Sequence, residues 1–135
     1  MKDGFHYLYV EDDPLSREIM QTLLVDLMDV ASLVIFEDSR DFLSKLRALN
    51  PRPDFALLDI NVLPHNGYAL VDMIRSDPQT RDIKVMAVTA SVMSNEIDLM
   101  KRSGFDGALA KPLDMAIFPE IVRRLEIGEA IWQTN

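Results

Sequence analysis

Residues 55–58 read Phe-Ala-Leu-Leu without a polar break and stop at Asp59. A half-exposed strand alternates apolar and polar side chains. An unbroken run asks for burial on both faces, as in a strand inside a parallel sheet. Tyr7–Val10, Leu33–Phe36, Val85–Val88 and Ala108–Ala110 are four more short apolar runs of the same kind. Amphipathic stretches separate them. Leu15, Ile19, Leu23 and Leu27 form a helical stripe after Asp13-Pro14, a capping side chain followed by a residue that needs no N–H. Phe42, Leu43, Leu46 and Leu49 mark a second helix, capped by Asp38 or Ser39 and ended by Pro51 and Pro53. Leu70, Val71 and Ile74 line a third. Ile97 and Met100 line a fourth, closed by Gly104. Ile117, Ile121 and Leu125, with Phe118 and Val122 beside them, stripe a fifth between a cap at Asp114 and a stop at Gly128. This is (βα)5, which predicts an α/β doubly wound parallel sheet with helices on both faces.

With 135 residues, the chain fits one domain spanning 1–135, and 48% apolar residues supply a core. The absence of cysteine excludes disulfides, thiolate-bound metals and thiol catalysis, and two histidines are too few for a His-rich metal site. A net charge of −8 disfavours nucleic acid and anionic membranes as partners. No apolar run exceeds four residues, far short of a membrane span, and the N-terminus lacks a signal-peptide core. A cytoplasmic protein is the expectation.

Open parallel sheets bind ligands outside the carboxyl ends of their strands. Here the first strand ends in Glu11, Asp12 and Asp13, the third in Asp59, the fourth in Thr89 and Ser91, and the fifth in Lys111. Each alone has an ordinary explanation as a cap, a loop residue or a solvated charge. Gathered at one edge, the carboxylates repel, and a hard cation such as Mg²⁺ relieves them through oxygen ligation. A lysine and a hydroxyl added to that set describe a phosphoryl site with an aspartate as acceptor. Asp59, at the end of the most buried run, is the best-fixed acceptor. Glu11 and Asp12 read as metal holders.

The segments Val10-Glu11-Asp12-Asp13-Pro14, Leu57-Leu58-Asp59-Ile60-Asn61, Val88-Thr89-Ala90 and Lys111-Pro112 resemble the receiver domains of bacterial two-component response regulators. The resemblance spans about residues 5–127, leaving a tail at 128–135. It implies a flavodoxin-like fold with strand order 2-1-3-4-5. It implies phosphorylation of Asp59 by a sensor histidine kinase or a histidine phosphotransfer protein. It also implies Mg²⁺ held by Asp12, Asp59 and the backbone carbonyl of Asn61, with Glu11 acting through water, and Thr89 and Lys111 on the phosphoryl oxygens. Such a protein is a phosphoacceptor that alters partner binding rather than an enzyme. The donor is expected to dock where Pro14, Leu15, Pro112 and Leu113 flank the site, with Ile19 more core than surface.

Three positions depart from the family. Pro64 stands five residues after Asp59 instead of four, while Gly67 keeps its place. Ala108 replaces the usual aromatic three residues before the lysine. The tail carries the only tryptophan, Trp132, expected to pack on the last helix or to fray. Two other readings compete. A phosphatase of the haloacid dehalogenase type shares the Asp nucleophile, but Asn61 stands where its general acid belongs. A degenerate receiver that only binds partners would not need the intact acids, Thr89 and Lys111.

Overall fold

The computed structural model describes residues 3–90 and 93–132. Five parallel strands lie in the order β2-β1-β3-β4-β5: β1 (Asp3–Val10), β2 (Val30–Phe36), β3 (Phe55–Asp59), β4 (Lys84–Thr89) and β5 (Gly107–Ala110). The helices are α1 (Pro14–Gln21), α2 (Phe42–Ala48), α3 (Gly67–Ser76), α4 (Ser94–Ser103) and α5 (Phe118–Glu126). The expected fold and strand order are therefore found. Side chains alternate across the sheet and build two core layers. Leu8, Val10, Ala56 and Leu58 face α2, α3 and α4 through Phe42, Leu46, Leu70, Ile74 and Met100. Tyr7, Tyr9, Phe55 and Leu57 face α1 and α5 through Met20, Phe118 and Val122. β3 is buried along its whole length, as its unbroken apolar run requires.

Several local expectations need correction. β1 starts earlier than its apolar run, because backbone pairing of Asp3 with Val30 extends it through residues without an apolar pattern. The four-residue stripe on α1 drifts by about 40° per step around a helix of 3.6 residues per turn. Its two ends, Leu15 and Leu27, accordingly come to the surface. Beyond Gln21 the helix runs on as a π-helical segment, Thr22–Leu27, in which Met28 N–H donates to the Leu23 carbonyl.

The cap of α2 is Asp41, in a left-handed conformation and without a side-chain bond. Asp38 instead accepts from the Arg40 amide. Ser39 is buried and exchanges two 2.7 Å bonds with the backbone of His65. Asp114 accepts from the Ala116 amide and closes a turn that precedes α5, so Ile117 becomes an exposed cap rather than part of the buried stripe.

The tail turns at Gly128, where φ is +98°, and returns along the free edge of β5. Ala108 N–H donates to the Ile131 carbonyl at 2.8 Å, and Trp132 bridges Ala108 in parallel. A Cβ on Gly107 would lie 2.7 Å from that carbonyl, so this approach needs glycine. Trp132 is half-buried in the α4-side layer, with Lys101 Nζ 5.3 Å from its ring centre. It neither frays nor packs on α5.

Candidate functional site

Parallel register brings the functional side chains to one edge. Val10 pairs with Leu58, Asp59 with Val88, and Thr89 with Ala110. Glu11 and Lys111 are the next residues along their strands. Their amides bond to Phe36 and Thr89 carbonyls at 3.0 and 2.9 Å, which holds both level with the strand ends. Ser91, also expected here, lies outside the described residues.

Glu11, Asp12 and Asp59 each offer a carboxylate oxygen, all within 4.8 Å of one another. Glu11, Asp59 and Thr89 are buried, Lys111 is half-buried, and Asp12 is open to solvent. Lys111 Nζ sits 2.6 Å from Glu11 Oε1 and 3.6 Å from Asp59 Oδ1. Asp13 stands apart from this cluster. It caps α1 through its bonds from the Ser16 hydroxyl and amide, which also hold its carboxyl below the ordinary range. The Asn61 amide approaches Asp59 Oδ1 at 3.4 Å.

Three carboxylates thus face one ammonium. Burial first, and then the charge of Glu11, push the Asp59 carboxyl up to about 6, against the opposing pull of Lys111. Opposite ligands of an octahedral Mg²⁺ are about 4.2 Å apart, from bond lengths near 2.1 Å. An all-oxygen set within 4.8 Å, short of positive charge, fits such an ion.

The loop after Asp59 is pinned from two sides. Gly67 N–H donates to the Ile60 carbonyl at 2.9 Å, and a Cβ on Gly67 would lie 2.9 Å from Ile60 Cα. On the other side Ser39 holds His65. The displaced Pro64 therefore sits in a loop whose two ends stay fixed.

Beside the acids runs a groove of about 230 Å³, walled by Leu15, Ile19, Pro112 and Leu113, with Tyr9 and Lys111 beneath. Leu15 is 62% exposed and Ile19 half-buried, so Ile19 is less of a core residue than its stripe suggests. Pro14 is exposed but does not line the groove.

Tyr9 escaped the sequence reading. Its buried hydroxyl donates to Glu11 Oε1 at 2.6 Å, and burial pushes that hydroxyl far above its ordinary titration range, so it keeps its proton. The signal was available. Positions 9 and 11 share one face of a strand, and a tyrosine facing a core needs a partner for its hydroxyl.

Comparison with known proteins points one way. The profile of the response regulator receiver domain matches residues 7–123. The transcriptional regulatory protein CseB of Streptomyces coelicolor is 32% identical over 123 residues, covering 91% of this chain and 50% of CseB. The chain spans about half the length of this and the next such relative. The polar-differentiation response regulator DivK of Brucella anthropi is 24% identical, covering 91% of this chain and 96% of DivK. Among solved structures, the receiver domain of the sensor histidine kinase PA1611 of Pseudomonas aeruginosa superposes with a TM-score of 0.75 at 24% identity. That match covers 90% of this chain and 96% of that one, and that structure carries a magnesium ion in its active-site cleft.

Proposed function

The chain belongs to the response regulator receiver domain family, and from that premise we propose that it is a phosphorylatable switch whose acceptor is Asp59. The observation that carries this reading is a buried aspartate pushed up to about 6, beside a lysine and two further acids at the edge of the sheet. One Asp59 oxygen attacks the phosphorus of a phosphohistidine in line. The P–N bond breaks, and its electron pair stays on the imidazole nitrogen. Asp12, Asp59 and the Asn61 carbonyl would hold Mg²⁺, with Glu11 acting through water. That ion, when bound, neutralises phosphoryl oxygens as a Lewis acid. Lys111 moves from Glu11 toward the new phosphate, and the Thr89 hydroxyl binds another of its oxygens.

The donor is a sensor histidine kinase or a histidine phosphotransfer protein, and the switch works in the cytoplasm. We assign donor docking to the groove of Leu15, Ile19, Pro112 and Leu113, with Pro14 at the rim. Leu15→Asp should slow transfer from such a donor while leaving uptake from a small phosphodonor intact. Equal loss of both would mean damage to the fold instead. Residues 5–127 act as the receiver, with 128–135 as a tail. The phosphatase reading gains no support, since Asn61 has no acidic proton to give a leaving group and its backbone amide points at Asp59 instead.

The test is intact mass after treatment with a small phosphodonor and Mg²⁺. One acid-stable, base-labile phosphoryl group per chain is expected, and none in Asp59→Asn. A full mass shift in that variant would move the acceptor elsewhere.

A further inference from the structure

Glu11 Oε1 accepts two short hydrogen bonds at once, from Lys111 Nζ and from the Tyr9 hydroxyl, each at 2.6 Å. The carboxylate is fully buried; its other oxygen takes a long contact of 3.3 Å from the Asp13 amide, and the carboxyl also interacts with that of Asp59. Lys111 is the mobile member of the pair, a flexible stem with a half-buried head that already reaches within 3.6 Å of Asp59. Tyr9 is the fixed member. Its ring is fully buried in the α1- and α5-side core from a strand second from the sheet edge. If Asp59 accepts a phosphoryl group, as proposed above, Lys111 must leave Glu11 to reach the new oxygens. A buried carboxylate that loses its donor is left with an uncompensated desolvation penalty.

We propose that Tyr9 is a positioning residue for this exchange: its hydroxyl keeps Glu11 Oε1 partnered while Lys111 changes hands, so that the other Glu11 oxygen would serve a bound metal through water. The swap is then between a doubly and a singly bonded carboxylate, never an orphaned one. Tyr9 touches no substrate and acts through Glu11 alone. A phenylalanine in its place retains the packing and removes the hydroxyl bond to Glu11.

The test uses the whole chain, saturating Mg²⁺ and beryllofluoride as the phosphoryl probe. Tyr9→Phe should bind beryllofluoride about tenfold more weakly, the low end of what an outer-shell partner of a metal ligand typically contributes. Mg²⁺ affinity without the probe should fall less, because Lys111 can still partner Glu11 there. A second readout starts from the wild type. In the wild type, beryllofluoride should red-shift tyrosine absorbance, as Tyr9 becomes the sole strong donor to Glu11. The chain has three tyrosines, and the shift should persist in Tyr7→Phe and Tyr68→Phe and vanish in Tyr9→Phe. Wild-type beryllofluoride affinity in Tyr9→Phe, or no tyrosine shift in a wild type that binds the probe, would overturn the role of Tyr9 and leave the switch standing. A wild type that does not bind beryllofluoride at all would sink both.

Discussion

Arg75 and Lys111 work at opposite ends of β4 and β5, with similar burial and opposite wiring. Their side chains are 26% and 20% exposed. At the amino ends, Arg75 is saturated. It donates to the carbonyls of Gly104, Arg81 and Ile83 and to one carboxylate, Asp106, at 2.8 Å. Asp106 is itself completed by the Val85 amide. At the carboxyl ends, one ammonium pairs with two of three clustered carboxylates, Glu11 and Asp59. Another acid, Asp77, follows the saturated pattern. The Gln79 amide and Arg47 hold its carboxyl below the ordinary range, whereas burial and Glu11 push Asp59 up to about 6. These two structural ion pairs leave neither charge short of partners. The site is built one cation short, and under the proposed function that shortage is what would receive a metal and a phosphoryl group.

The sharpest way to break this contrast is to neutralise one acid at each end. Asp59→Asn should abolish phosphoryl uptake from a small phosphodonor, while Asp106→Asn should retain it in full under conditions where both variants are folded. Uptake lost equally in both would mean that the two ends are not functionally distinct.

Removing the cations should separate them next. Arg75→Met strips bonds from three carbonyls and an acid, and should cost about 2–3 kcal/mol in denaturant unfolding, nearly flat from pH 5 to 8. Lys111→Met should be pH-dependent instead. At low pH the acids can take a proton in place of the lysine, so the loss is small there and grows as pH rises. Saturating Mg²⁺ should restore much of that loss and do nothing for Arg75→Met. Identical pH profiles for the two variants would erase the distinction.

A smaller effect is expected in the metal-free wild type. The folded Asp59 carboxyl titrates above its ordinary value near 3.8. Its folded state therefore binds the proton more tightly than the unfolded chain does. The stability from that proton is fully present below about pH 4 and is lost as pH rises through about 6. The loss is on the order of 3 kcal/mol. Asp77 runs the other way, since its lowered carboxyl stabilises the fold above its ordinary value and loses that stability as pH falls through its folded value. Unfolding curves in chelator for wild type and Asp59→Asn should differ in slope across pH 4–6. Superimposable profiles would show that Asp59 carries no such strain.

Much of this was legible in the residues. Unbroken apolar runs and helical stripes have only one economical arrangement, and each strand's last residue therefore lands at a predictable edge. Glu11, Asp12, Asp59, Thr89 and Lys111 followed from that. What escaped was set by tertiary contact. Nothing in Ser39 says that its hydroxyl will clasp His65 rather than cap α2. Nothing in Glu129–Trp132 announces that the tail will pair with β5, since that depends on Gly107 allowing its backbone so close. Asp114 reads as the cap of α5, but the turn it closes comes before that helix, whose cap is Ile117.

The most direct measurement is a carbon-13 NMR titration of the Asp59 and Asp77 side-chain carboxyls in one sample, first in chelator and then with Mg²⁺. Without metal, Asp59 should titrate near 6 and Asp77 below its ordinary value. With Mg²⁺, the Asp59 midpoint should fall, while Asp77 stays where it was. An Asp59 carboxyl that titrates at or below its ordinary value in chelator, or that ignores Mg²⁺, would contradict the claim that this end of the sheet is built one cation short.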